Sequence, residues 1–148
     1  TGNTCRSPMA EALFRNLLSK KLGCQEDELS DRGYIVASAG LAAAMGAPPS
    51  PEGVSILAEQ GIDIQAHESQ PLTERLLDQS DHLYTMTQGH RSAILAERPD
   101  LAETVRLLSP NGKDISDPIG GGYQCYVVCK QEIENCLKTI VTQLHLPE

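Results

Sequence analysis

Short runs rich in β-branched, aliphatic and aromatic residues, at positions 34–38, 82–86 and 105–108, alternate with helix-start signals. That alternation constrains the fold more than any other feature of the sequence. A strand, a helix and a second strand in succession pair in parallel, so the pattern predicts an α/β domain with a parallel sheet. The helix starts are chemically explicit. Ser7-Pro8 and Ser50-Pro51 each place a hydroxyl cap ahead of a proline, whose missing N–H is no loss in a first turn. The first helix runs through Met9, Leu13, Leu17 and Leu18 to a stop at Gly23, and the second ends near Gly61. Thr73 caps a short helix through Leu77, another spans 88–97, and a long terminal helix covers 123–144. Residues 40–49 form a loop of small residues and proline, and Asp117-Pro118-Ile119-Gly120-Gly121-Gly122 forms a second, flexible one.

The 148 residues are one domain's worth of chain, read as a single unit over 1–148, and 40% hydrophobic against 22% charged residues is an ordinary globular balance. Nothing approaches the ~20 consecutive apolar residues that cross a bilayer. Twelve Lys and Arg stand against twenty Asp and Glu, a net charge of −8, which repels nucleic acid and anionic membranes. An anionic ligand therefore has to be held by a local site that outweighs the global field. Cys5, Cys24, Cys125, Cys129 and Cys136 form neither a zinc pair nor a disulfide framework. The last three read as an apolar stripe on a helix, and a reducing cytoplasm is the simplest setting. His82, His90 and His145 form no metal constellation and read as structural or solvent-facing, so neither a metal nor a cofactor is expected. A monomer is expected.

The opening residues carry the chemistry. Thr1-Gly2-Asn3-Thr4-Cys5-Arg6-Ser7-Pro8 joins a glycine, a φ-tolerant asparagine, an arginine and a helix start. Such a turn aims successive backbone N–H groups inward, the helix adds the positive end of its dipole, and a guanidinium grips two oxygens of a tetrahedral oxyanion. The result is a phosphate cradle. A thiolate at the centre of the cradle could attack the phosphorus, and Cys-x5-Arg is the spacing that places sulfur and guanidinium on one phosphate. Counting back from Arg6, the spacers fill positions 1–5, so the nucleophile is expected immediately ahead of Thr1. Cys5 is adjacent to Arg6 and cannot substitute for it.

Thr1-Gly2-Asn3-Thr4-Cys5-Arg6-Ser7-Pro8-Met9-Ala10-Glu11 resembles the signature of the low-molecular-weight protein tyrosine phosphatases without its first cysteine. Asp117-Pro118 with Gly120-Gly121 and Tyr126 resembles the family's general-acid loop, and Ser38-Ala39-Gly40 and Ala66-His67 match between the two. The resemblance implies a flavodoxin-like three-layer sandwich with a four-stranded parallel sheet, ordered 2-1-3-4, whose first strand is absent from this chain. It implies that Thr1, Gly2, Asn3, Thr4, Cys5 and Arg6 bind the phosphoryl group and that Arg6 stabilises the transition state. Ser7 would hold the nucleophile as thiolate, with Asn3, Ser38 and His67 supporting the loop. Asp117 would protonate the leaving group and then activate water against a phosphocysteine. Cys5 would be the redox partner that protects the nucleophile. The substrate would be a phosphorylated protein.

Several features qualify that expectation. Without the first strand, the 148 residues alone are expected to fold poorly and to be inactive, as a truncated form of a longer protein. Each orphaned buried polar group costs roughly 1–3 kcal/mol against a total stability of about 5–15 kcal/mol. Ile119 occupies the substrate-contact position where tyrosine-specific members carry an aromatic, although Tyr123 follows closely. Thr4 and the glycines after the acid resemble bacterial protein arginine phosphatases, which makes phosphoarginine a substrate hypothesis beside phosphotyrosine. A thioredoxin-coupled arsenate reductase would need cysteines between Asp31 and Gly122, and there are none. The remaining alternative is a non-catalytic phosphate-binding module.

Overall fold

The computed structural model describes residues 2–144. Seven regular elements follow one another: α1 (Arg6–Leu22), α2 (Pro51–Ala58), α3 (Glu74–Gln79), β1 (Leu83–Thr85), α4 (Gln88–Glu97), β2 (Val105–Leu107) and α5 (Tyr123–Gln143), with single 3₁₀ turns at Glu26–Glu28 and Pro99–Leu101. The caps expected at Ser50 and Thr73 form, and Thr87 adds a third. Ser50 Oγ accepts from the Gly53 amide at 3.3 Å, Thr73 Oγ1 from Leu76 at 3.2 Å, and Thr87 Oγ1 from His90 at 3.1 Å. Gly23, at φ 70, closes α1 by donating back to Lys20 and Ser19 carbonyls.

β1 and β2 pair in parallel, Leu83 opposite Val105 and Thr85 opposite Leu107. The pair is extended by Leu108 N–H donating to Thr85 O at 2.8 Å. α1 and α5 pack on each other, and buried Tyr126, Cys129, Ile133, Leu137 and Ile140 mark one face of α5 at a spacing of three to four residues. These side chains share the main core with Met9, Leu13, Ile56 and Leu57 of α1 and α2. A separate apolar cluster of Leu77, Ile94 and Val105 joins α3, α4 and β2. Arg98 ties this region together by contacting Glu74, Asp78 and Asp100 at 2.6–2.9 Å.

Three expectations are corrected. Residues 34–38 form no strand, because a strand needs a ladder partner and none lies beside this segment among the described residues. Side chains hold its carbonyls instead, Arg15 at Val36 and Gln70 at Ser38. The only pairing near it is an isolated parallel bridge from Gly40 to Pro71. Ser7 is not the N-cap of α1. The cap is Cys5, because the helix extends back to Arg6, whose buried guanidinium is anchored elsewhere in the fold. Of the three C-terminal cysteines only Cys129 is buried, Cys136 is half-buried, and Cys125 is exposed, so the stripe is narrower than its spacing suggested.

Candidate active site

The phosphate loop is held at one residue. Asn3 has φ 60, the left-handed region that a side chain other than that of glycine, asparagine or aspartate seldom occupies. Three contacts fix it there, and a fourth braces two of its partners. Its Nδ2 donates to Ser38 Oγ at 2.9 Å, and its Oδ1 accepts from the Gln70 amide at 3.0 Å. His67 Nε2 lies 2.9 Å from its carbonyl oxygen. Gln70 Nε2 reaches the Ser38 carbonyl at 2.9 Å, which joins the two supports to each other.

The chain of contacts continues into α1. Ser38 Oγ donates to Glu11 Oε1 at 2.9 Å, Glu11 pairs with Arg15 at 2.8 Å, and Arg15 donates to the Val36 carbonyl. One turn of helix below the loop thus returns to the segment that holds the loop. Hydrogen bonds to charged groups contribute roughly 1.5–3 kcal/mol each, more than neutral ones, so the Glu11 end of this relay is its firm end. On the opposite side, Ser50 N–H donates to the Thr4 carbonyl at 2.7 Å, which ties the start of α2 to the loop.

Cys5 and Arg6 are both 6% exposed. Burial pushes the Cys5 thiol up, against hydrogen bonds from Tyr126 and Ser50 that favour its thiolate. Burial likewise pushes the Tyr126 phenol up to about 12, so the hydroxyl stays protonated beside the sulfur. Arg6 Nη1 donates to the Ile115 carbonyl at 2.6 Å, and its Nη2 stands 3.8 Å from Asp117 Oδ2. One guanidinium therefore touches the acid loop at two points while lying at the start of the helix whose positive end faces the loop. Asp117 is 47% exposed, open to a substrate, and its Oδ1 accepts from the Ile119 amide at 3.1 Å. That bond sets Ile119, itself 65% exposed, next to the carboxylate. Gly121 lets the loop close onto α5, since a Cβ there would lie 2.5 Å from Cys125 Sγ. Beyond the loop, the Tyr123 hydroxyl donates to Glu59 at 2.5 Å.

Asn3, Thr4, Cys5, Arg6, Ser38, His67 and Asp117 thus converge from loops far apart in sequence. Gly2 is exposed, with the position of an added Cβ 3.9 Å from Thr4 Oγ1, and Ser7 is half-buried in the first turn of α1. Thr1 lies outside the described residues. Glu11, Arg15, Ser50, Gln70 and Tyr126 belong to the same assembly, although the sequence offered a structural reason only for Ser50, as a helix cap. The i, i+4 spacing of Glu11 and Arg15 one turn below the loop was a usable signal. Gln70 carried none. Among the described residues no group of three His, Cys, Asp or Glu side chains is placed to hold a metal ion, and no helix is long and apolar enough to cross a membrane.

This arrangement has counterparts. The family model described as low molecular weight phosphotyrosine protein phosphatase matches residues 1–146. A protein-arginine-phosphatase of Geobacillus stearothermophilus is 34% identical over 97% of this chain and 91% of its own length. A probable low molecular weight protein-tyrosine-phosphatase, EpsP of Ralstonia solanacearum, is 37% identical over 79% of this chain and 72% of its own. Among solved structures, a low molecular weight protein tyrosine phosphatase from T. tengcongensis superposes with a TM-score of 0.85 at 31% identity, covering 97% of this chain and 95% of that one. The YwlE arginine phosphatase of Geobacillus stearothermophilus superposes at 0.81 and 31% identity, covering 99% and 95%. A loop braced at Asn3, an arginine shared with the Asp117 loop and an α/β scaffold are one inheritance: the chain belongs to the low molecular weight phosphotyrosine protein phosphatase family.

Proposed function

We propose that this chain is a single phosphatase domain over 1–148 of a protein that removes phosphoryl groups from phosphotyrosine or phosphoarginine in proteins through a phosphocysteine intermediate. The observation that carries the reading is the buried Arg6 bridging the phosphate loop to the Ile115 carbonyl and to Asp117 at 3.8 Å. In the proposed reaction the loop amides and Arg6 hold the three equatorial oxygens, and a thiolate from a cysteine immediately ahead of Thr1 attacks phosphorus. The P–O or P–N bond breaks as Asp117 gives its proton to the leaving atom. Asp117, now a carboxylate, takes a proton from water, whose oxygen attacks the phosphocysteine. Inorganic phosphate leaves and the thiolate is regenerated. Cys5 serves as redox partner of the nucleophile, and a strand ahead of that cysteine supplies the ladder partner that residues 34–38 lack among the described residues, so that both join β1 and β2 in a four-stranded 2-1-3-4 sheet.

Thr4 and the arginine phosphatases among the relatives support phosphoarginine as a substrate. A threonine hydroxyl can position water against a phosphoguanidinium, which an aliphatic side chain cannot. The test compares turnover of phosphoarginine and phosphotyrosine peptides by the full-length protein, with Thr4→Ile alongside. Loss of phosphoarginine turnover in Thr4→Ile, with phosphotyrosine turnover retained, supports the role of Thr4, and an unchanged preference removes it. Tight binding of both peptides with no turnover would replace the enzyme by the phosphate-binding module.

A further inference from the structure

Residues 39–49 form an arch between two neighbouring points of attachment. At one end Ser38 Oγ accepts from Asn3 Nδ2 at 2.9 Å, and at the other Ser50 N–H donates to the Thr4 carbonyl at 2.7 Å. Asn3 and Thr4 are consecutive, so both feet of the arch stand on the loop that the proposed function assigns to phosphate. A loop of this length with its ends held together has the form of a compact Ω-loop. Its side chains, from Ala39 to Pro49, include no charged and no hydrogen-bonding group, in a chain that is 22% charged. Even so, Leu41, Ala42, Ala44, Met45, Gly46 and Pro48 are exposed, Met45 at 77%. A contiguous apolar patch of this kind marks a surface that something else covers.

One side chain fixes the middle of the arch. Ser69 is 1% exposed. Its hydroxyl donates to the Ala44 carbonyl and accepts from the Ala47 amide at 2.9 Å. Its own N–H donates to the Ala47 carbonyl at 2.8 Å, and its carbonyl accepts from Gly46 N–H at 2.9 Å. Met45 thus lies between two residues that Ser69 holds. The next residue, Gln70, accepts from Gly40 N–H at 3.0 Å, beside Leu41, and is the residue that holds Asn3 and Ser38. Adjacent residues therefore grip the arch and the phosphate loop, and fix one relative to the other.

We propose that Ser69 is a positioning residue for substrate choice: it holds Leu41 and Met45 in register with the phosphate loop, where they cover apolar residues flanking the phosphorylated residue of a protein substrate. The inference rests on the phosphatase reading above. The occupant follows from the feet of the arch. A phosphoryl group seated at Asn3 to Arg6 brings the substrate's neighbouring residues alongside a loop rooted on the same segment. A loop without carboxylates adds nothing to the net charge of −8 that repels a phosphorylated protein. The unbranched methionine side chain adapts to apolar partners of different shapes.

Steady-state kinetics of the full-length protein tests the proposal. Peptides phosphorylated on tyrosine or arginine, flanked by leucines or by serines, are compared with p-nitrophenyl phosphate. The wild type is expected to show a KM about five- to tenfold lower for the leucine-flanked peptide, the scale of one or two apolar contacts. Ser69→Ala leaves the Ala44 carbonyl and the Ala47 N–H without the hydroxyl. It is expected to raise the leucine-flanked KM by that factor, with kcat and the KM for p-nitrophenyl phosphate unchanged. Met45→Ser, at an exposed position that leaves the fold intact, is expected to raise the same KM, and adding Ser69→Ala to it should raise KM less than Ser69→Ala does alone. Should Ser69→Ala fail to fold, Met45→Ser decides. A peptide KM unmoved in Met45→Ser, or equal losses on peptide and p-nitrophenyl phosphate in Ser69→Ala, overturns the proposal and leaves the phosphatase standing. Self-association that Met45→Ser abolishes without moving KM also overturns it, and assigns the arch to a second copy. No turnover of any of these substrates by the wild type overturns the proposal together with the reading beneath it.

Discussion

Asn3 and Ser38, 35 residues apart in the chain, meet side chain to side chain at 2.9 Å. Through that bond the segment after α1 holds the phosphate loop in a backbone conformation that the loop would not keep alone. The asparagine is a conformational choice as well as a hydrogen-bonding one, since its φ of 60 is tolerated by few side chains.

Replacing Asn3 separates these two contributions. Asn3→Ala loses the anchors and retains the strain, and is expected to lower stability by about 1–3 kcal/mol in urea unfolding. Asn3→Gly loses the anchors and relieves the strain, so its loss should be smaller. Equal losses in the two variants would mean that the left-handed turn contributes nothing.

Arg6→Lys tests the bridge. A lysine keeps one positive charge but cannot contact the Ile115 carbonyl, Asp117 and a phosphoryl oxygen together. Turnover of a phosphopeptide by the full-length protein is expected to fall about 10²- to 10³-fold, the scale seen when a preorganised oxyanion donor is lost. The melting temperature reports whether the fold survives. A kcat within threefold of wild type would place the transition-state charge elsewhere.

Asp117→Asn removes the leaving-group proton and the 3.8 Å ion pair with Arg6, while its side-chain oxygen can still accept from the Ile119 amide. Turnover of an alkyl or phenyl phosphate should fall about 10²- to 10⁴-fold. Turnover of p-nitrophenyl phosphate, whose leaving group needs no acid, should fall much less in the phosphorylation step, read by single-turnover kinetics. Equal losses on both substrates would argue against a general acid.

The cysteines should separate by alkylation. Burial pushes Cys129 up to about 12, so at pH 8 its thiolate is on the order of one part in ten thousand. Iodoacetamide is expected to modify exposed Cys125 long before Cys129, with the order read by peptide mass spectrometry. Linkage gives a second readout. The folded-state value is raised above the unfolded 9.0, so Cys129 contributes stability fully below pH 9 that is lost as pH rises toward 12. Cys129→Ala should therefore show a shallower loss of stability over that range.

The helices were legible because their caps are local chemistry. Ser50 and Thr73 announce their helices within a few residues, and the amide bonds that they accept are present. The family signature was legible for a similar reason, being contiguous in sequence. The segment 34–38 was misread because a strand is a property of two segments, and its composition says nothing about a neighbour. Gln70 was invisible because its amide and side chain act on Asn3 and Ser38, 67 and 32 residues away.

The contact between Arg6 and the Ile115 carbonyl spans 109 residues, and Lys21 reaches the Val141 carbonyl across 120. On a ribosome adding about 5–20 residues each second, the loop at Asn3 and Arg6 emerges several seconds before the segment that completes it. Contacts of such long separation form late, because the intervening chain must first surrender its freedom. A nascent chain therefore carries Arg6 without its counterweight for much of its synthesis, and the proposed phosphate site closes as one of the last events of folding.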